Sequence, residues 1–141
     1  MTRVGLGFDV HPFAPSAAGR PLILGGVEVP AERGLAGHSD ADVLTHAVAD
    51  ALLGALALGD LGQHFPDSDP RYRGISSLVL LRHVMELVSA RGGRLVNVDA
   101  TILAQAPRLA PLLPEMTKRL AEVLGVEIGR ASCRERVCQY V

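Results

Sequence analysis

Cysteine is scarce in this chain: among 141 residues only Cys133 and Cys138 occur, both close to the end. Without further cysteine or histidine partners at zinc-site spacing they do not form a structural metal site, and in a reducing compartment they read as free thiols. Long apolar runs are missing too. No stretch approaches the roughly 18 to 20 residues needed to cross a bilayer, and the start, MTRVGLGFDVH, lacks the charged, apolar and small-residue succession of a secretory leader. Both features predict a cytoplasmic protein with no membrane partner. Nor is there an excess of charge of one sign. The formal net charge is −1 with histidine neutral, so no basic field draws the chain to nucleic acid. An anionic ligand must instead be held locally, by a metal, helix N-termini or a few arginines and lysines. Repeats, low-complexity tracts and interdomain linkers are absent. What remains, 48% hydrophobic and 21% charged residues, is an ordinary globular composition, at a length that fits one domain with a real core.

The hydrophobic pattern alternates between strand and helix periods. Val4, Leu6, Phe8 and Val10 alternate with Arg3, Gly5, Gly7 and Asp9, which predicts a strand over residues 3–10. Two short apolar runs around Gly25-Gly26 read as a hairpin over residues 22–29. A helix starting near Ser39 or Asp40 carries Val43, Leu44, Ala47, Val48, Ala51 and Leu52 to about Ala57. After an Asp-, Gly- and Pro-rich loop, a second helix runs from Ser76 or Ser77 to about Arg91, stopped by Gly92-Gly93. Residues 94–104 read as a strand and 112–124 as a third helix ending at Gly125. Interspersed strands and helices predict an α/β fold, an α+β sandwich with a mixed sheet and helices on one face.

Chemistry concentrates at a few points. Asp9 and His11 lie two apart, so on a strand they face the same side. His46 comes from a second element. One carboxylate and two imidazoles with an open fourth position are the ligand set of a reactive zinc; a capping Asp and hydrogen-bonded histidines are the bland alternative. His38-Ser39-Asp40 sits at the mouth of the first helix, where unpaired N–H groups favour an anion, although Ser39 or Asp40 can simply cap it. Asp42 and Asp50 flank His46 at i−4 and i+4, so either orients its ring or faces solvent. The loop from Gly59 to Pro70 is long enough for a lid or binding site. Its Asp60 and Asp67 suit sugar hydroxyls or plain turn formation. Ala104 to Arg108 offers reachable backbone for a flat heterocycle, with Arg108 for a phosphate.

The stretches GLGFDVHPF, LGGVEVP, GLAGHSDADVLTHAVADALLGALALGDLGQHFPDSDP and NVDATILAQAPRLAP, in this order over about residues 3–127, resemble the 2-C-methyl-D-erythritol 2,4-cyclodiphosphate synthases of the non-mevalonate isoprenoid pathway. The resemblance implies a phosphorus–oxygen lyase. Its substrate is 4-diphosphocytidyl-2-C-methyl-D-erythritol 2-phosphate, whose 2-phosphate attacks the β-phosphorus, closes a cyclic diphosphate and expels CMP. It implies one Zn²⁺ per chain on Asp9, His11 and His46, and His38 as the residue stabilising the transition state. Substrate contacts are implied at Asp9, Val10, His11, His38 and Ser39, and in an erythritol loop of Asp60, Leu61, Gly62, Phe65, Pro66, Asp67, Ser68 and Asp69. A cytidine pocket is implied at Ala104, Gln105, Ala106, Pro107, Arg108, Leu109 and Ala110. A homotrimer with each site between two subunits is implied as well.

After Glu127 the family continues with a strand and a motif of the type N-V-K-A-T-T-T-E, whereas this chain reads IGRASCRERVCQYV over residues 128–141. The family's Thr, and its Glu that binds Mg²⁺ or Mn²⁺ at the α- and β-phosphates, have no match, and Glu135 is left unassigned. The expectation is a synthase-like domain over 1–127 and an artefactual or disordered tail over 128–141. With them go an exposed sheet edge and an incomplete second metal site with reduced turnover. The alternative function is a catalytically impaired remnant that binds zinc and ligand; a zinc hydrolase is the weaker third.

Overall fold

A computed structural model describes residues 1–137, so the thiol expected at Cys138 lies outside the described residues. The hairpin forms as its pattern predicts. Strands β1 (Leu22–Leu24) and β2 (Val27–Val29) pair antiparallel. Gly25 and Gly26 between them take φ of 56° and 72°, the left-handed values that a two-residue turn requires. Leu22, Leu24, Val27 and Val29 are buried and Glu28 is exposed, as a half-buried ribbon demands.

Three helices make the core. Helix α1 spans Val43–Ala55, after the short α2 (Leu61–His64) comes α3 at Ser77–Ala90, and α4 covers Leu113–Leu124. Their apolar residues recur every three or four positions: Leu44, Val48 and Leu52 on α1; Leu80, Leu81, Val84 and Val88 on α3; Met116, Leu120 and Leu124 on α4. The three stripes meet, α1 against α3 and α3 against α4. α1 begins at Val43 instead of Ser39 or Asp40 because Asp42 is the residue whose carboxylate accepts the Thr45 N–H. Gly125, left-handed at φ 67°, ends α4 as expected.

Strand β3 (Val98–Ala104) starts four residues later than the alternation predicts and pairs parallel with β4 (Ala131–Val137), with α4 as the crossover. Both strand orientations are thus present, in two separate pairs among the described residues. Ile102 turns into the core while Leu103 is exposed. Within the tail expected to be artefactual or disordered, residues 131–137 form a strand that pairs along the whole of β3. Ala131 is buried and Cys133 packs on the core, whereas Ser132 and Arg134 both donate to Asp99 across the pair.

The N-terminal segment differs most from expectation. Among the described residues, no strand pairs with residues 3–10. The segment lies along α1 instead, antiparallel to it: Arg3 donates to Ala55 O, Gly5 abuts Ala51 and Gly7 abuts Ala47. Two extended residues advance about 6.7 Å and four helical residues about 6 Å, so every second residue meets the helix. The alternation is real, but glycines face inward. A Cβ on Gly5 or Gly7 would lie 1.8 Å from the facing carbonyl oxygen, so only glycine permits the approach. Val4, Leu6, Phe8 and Val10 therefore point outward, at 75–91% exposure.

Candidate metal centre and its cleft

The same stepping that sets Gly5 and Gly7 on α1 carries Asp9 to the turn that holds His46. His11 follows on the same side. The three ligating atoms offered by Asp9, His11 and His46 all lie within 4.8 Å of one another. Asp9 Oδ2 is 2.9 Å from His11 Nε2 and 3.1 Å from His46 Nδ1.

The outer nitrogen of each ring is tied back. His11 Nδ1 lies 2.6 Å from Ala36 O, a carbonyl that can only accept, so Nδ1 carries the proton and Nε2 presents a lone pair when the ring is neutral. His46 Nε2 lies 2.8 Å from Ser77 Oγ and 3.3 Å from Ser39 Oγ. With both rings neutral and the His46 proton on Nε2, two nitrogen lone pairs and a carboxylate oxygen converge on one point, an arrangement that demands a proton or a cation. This donor set suits a divalent metal. Without one, protons serve. Burial works against a charged His46 ring, but its hydrogen bond to Asp9 and the charges of Asp9, Asp42 and Asp40 raise its pKa overall. Burial likewise works against a charged Asp9, yet the His46 hydrogen bond and the two imidazoles lower its pKa below the ordinary value.

A cleft of about 220 Å³ opens over this cluster. Its walls include Gly37, His38 and Ser39 before α1, Asp50 on it, and Leu61, Gly62, Phe65, Asp67 and Tyr72 from the loop. A second cleft of about 420 Å³ shares Gly37 and His38 and adds Arg20, Arg73 and Gly74. Arg20 donates to Ser39 O at 2.6 Å, fixing the loop that carries His38 and Ser39. His38 Nε2 donates to the Asp69 carbonyl at 3.2 Å. Sequence reasoning missed both arginines, since neither lies in a motif.

Other expected residues go elsewhere. The mouth of α1 is closed to an anion, because the fully buried Asp42 carboxylate fills it, accepting from Gly25 N, Gly26 N, Thr45 N and Thr45 Oγ1. Neither Asp42 nor Asp50 orients His46; Asp50 accepts from Leu61 N at 2.7 Å and holds the loop. Asp60 caps α2 through Gln63, and the Asp69 carboxylate pairs with Arg71 at 2.6 Å. Asp60, Pro66, Ser68 and Asp69 do not line the metal cleft, and Val10 points outward. Residues 104–110 line neither cleft. Leu109 is buried there, and its N–H donates to Glu135 Oε2 at 2.6 Å.

Comparison with known proteins agrees with the sequence motifs. The YgbB family model matches residues 2–136. The 2-C-methyl-D-erythritol 2,4-cyclodiphosphate synthase of Geobacter metallireducens is 61% identical over 94% of this chain and 82% of its own length. That of Desulfitobacterium hafniense is 58% identical over 95% and 83%. A solved 2C-methyl-D-erythritol-2,4-cyclodiphosphate synthase in its CDP-bound form superposes with a TM-score of 0.86 at 39% identity, covering 94% of this chain and 87% of that one.

Proposed function

The chain belongs to the YgbB family of 2-C-methyl-D-erythritol 2,4-cyclodiphosphate synthases, and on that basis we propose how its residues carry out the family reaction. It is a phosphorus–oxygen lyase of isoprenoid biosynthesis. In the reaction, the 2-phosphate of 4-diphosphocytidyl-2-C-methyl-D-erythritol 2-phosphate attacks the β-phosphorus, the β-phosphorus–bridging-oxygen bond breaks, and CMP leaves. With no covalent step on the enzyme, catalysis rests on positioning and charge stabilisation.

Asp9, His11 and His46 hold one Zn²⁺ per chain in this reading, supported above all by the convergence of His11 Nε2, His46 Nδ1 and Asp9 Oδ2. Bound there, the ion supplies Lewis acidity to a diphosphate oxygen. His38 lines both clefts and is the catalytic residue that stabilises the developing charge, with Ser39 beside it donating to phosphate. Arg20 and Arg73 bring positive charge to the same edge, which suits a doubly phosphorylated substrate. Leu61, Gly62, Phe65 and Asp67 form the wall for the erythritol moiety. The second divalent ion, Mg²⁺ or Mn²⁺, is assigned no ligand here, since the residues around Glu135 do not match the family motif; Glu135 Oε2 accepts from Leu109 N.

The catalytic unit is the domain of residues 1–127 with β4 packed on it. A homotrimer is supported by two observations. The apolar stripe of Val4, Leu6, Phe8 and Val10 is exposed on a single chain, and the cytidine set at 104–110 stands apart from the metal cleft, as a site shared between subunits requires.

An impaired remnant has less support than an enzyme, given close relatives over nearly the whole chain. The test is CMP release from the cytidyl substrate with Mg²⁺ present. The synthase reading expects CMP together with the cyclic diphosphate. Substrate binding without CMP would leave the remnant reading standing, and linear phosphorylated products would favour hydrolysis.

A further inference from the structure

We infer that Ser77 and Asp40 are a positioning pair which fixes His46 in its Nε2–H form and so keeps the Nδ1 lone pair turned toward Asp9 and His11. The inference deepens the metal-site reading and rests on it. Ser77 opens α3 and is fully buried. Its backbone N–H donates to Asp40 Oδ2 at 2.9 Å and its hydroxyl donates to Asp40 Oδ1. Asp42 N also donates to Asp40 Oδ1, at 3.2 Å. Asp40 is therefore held as an acceptor on both oxygens, and it stands in for the absent side-chain cap of Ser76.

The proton count then settles direction. A serine hydroxyl has one hydrogen. That hydrogen is on the Asp40 side, so toward His46 the Ser77 oxygen can only accept. His46 Nε2, 2.8 Å away, must be the donor. In a neutral ring the other nitrogen, Nδ1, is then bare, and it is the one 3.1 Å from Asp9 Oδ2. Reversing the Ser77 proton would drive a hydrogen onto Nδ1, into the space between the three ligands.

A second consequence concerns Ser39. Its oxygen accepts from Ala41 N at 3.2 Å and faces the protonated Nε2 at 3.3 Å. Both neighbours are donors, so the Ser39 hydroxyl hydrogen is left for the cleft and for an anionic oxygen there. The carboxylate–hydroxyl–imidazole chain thus prepares a metal-facing lone pair and a ligand-facing donor together. Such outer partners of a metal-binding histidine typically change metal affinity by about ten- to a hundredfold when removed.

The experiment uses metal-free and Zn²⁺-titrated protein, wild type, Ser77→Ala and Ser77→Thr. Long-range ¹H–¹⁵N spectra of the metal-free protein, above the ring's titration, read the tautomer directly. Chelator competition reads Zn²⁺ affinity, and thermal melting of the metal-free forms checks folding. Expected are a single Nε2–H form in wild type, loss of that single form in Ser77→Ala with about ten- to a hundredfold weaker Zn²⁺ binding, and recovery in Ser77→Thr. An Nδ1–H wild type overturns the inference, as does a folded Ser77→Ala protein with unchanged tautomer and affinity. Wild-type protein that shows the Nε2–H form yet binds no Zn²⁺ would instead strike the metal reading, leaving the tautomer spectra of Ser77→Ala to decide the positioning role.

Discussion

Replacing Gly7 by Ala tests whether the close approach of the N-terminal segment to α1 is what builds the metal centre. A Cβ at Gly7 would meet Ala47 O at 1.8 Å and Ala51 N at 2.7 Å, both backbone atoms that cannot swing aside. Real Cβ contacts essentially never fall below 3.0 Å, so the segment must retreat by about 1.2 Å. Zinc–ligand distances tolerate only about ±0.2 Å. Asp9, two residues on, cannot absorb a displacement several times that size without losing its ligand distance. Strain on its own should cost about 1–3 kcal/mol of stability, and the loss of one ligand in three should weaken Zn²⁺ binding by at least about a hundredfold, beyond what outer-partner changes produce. Chelator competition measures the affinity and thermal melting the stability. Gly54→Ala is the control. It lies on the same helix with nothing within 4 Å of the added Cβ, so affinity should be unchanged and stability up by as much as about 1 kcal/mol. Wild-type zinc affinity in a folded Gly7→Ala protein would refute the claim that this glycine sets the depth of Asp9.

Two further predictions concern buried charge. Asp42→Ala should strip an acceptor from four donors at the hairpin turn and α1 start, costing about 3 kcal/mol or more and lowering the melting midpoint by roughly 10 °C; a loss below about 1 kcal/mol would contradict it. In metal-free protein the Asp9–His46 pair should stabilise the fold most between pH 3.8 and 6.5, the ordinary values of the two groups. His46, whose pKa is raised, gives stability that is full below 6.5 and lost as pH climbs through its folded value. Asp9, whose pKa is lowered, gives stability present above 3.8 and lost as pH falls through its folded value. Denaturant midpoints across pH, compared with Asp9→Asn, check this, and a flat difference between the two proteins would be contrary.

Hairpin and helices were legible in the sequence because each rests on short-range pattern, and so was the Asp9–His11 half of the candidate metal cluster. Gly25-Gly26 demands its turn, Leu80, Leu81, Val84 and Val88 share one helix face, and Asp9 and His11 share one side of an extended chain. What was not legible depends on long-range partners. The alternation at residues 3–10 reads as a strand with a buried apolar side, and nothing local reveals that glycines face a helix while Val4 and Leu6 are left outside. Helix spacing points to Asp42 or Asp50 at i±4 as the orienting partner of His46, yet the partner is Ser77, 31 residues away, with Asp40 behind it. Residues 128–137 lacked the family motif, but Ala131 and Cys133 alternate with Ser132 and Arg134, which is enough for a strand once β3 and α4 are present.

The most direct test of the account is the metal content of purified protein, wild type beside His46→Ala, by elemental analysis after dialysis. The account predicts about one zinc per wild-type chain and nearly none in a folded His46→Ala chain. Full zinc retention by that variant, or a wild type that holds no divalent metal after zinc loading, would contradict it.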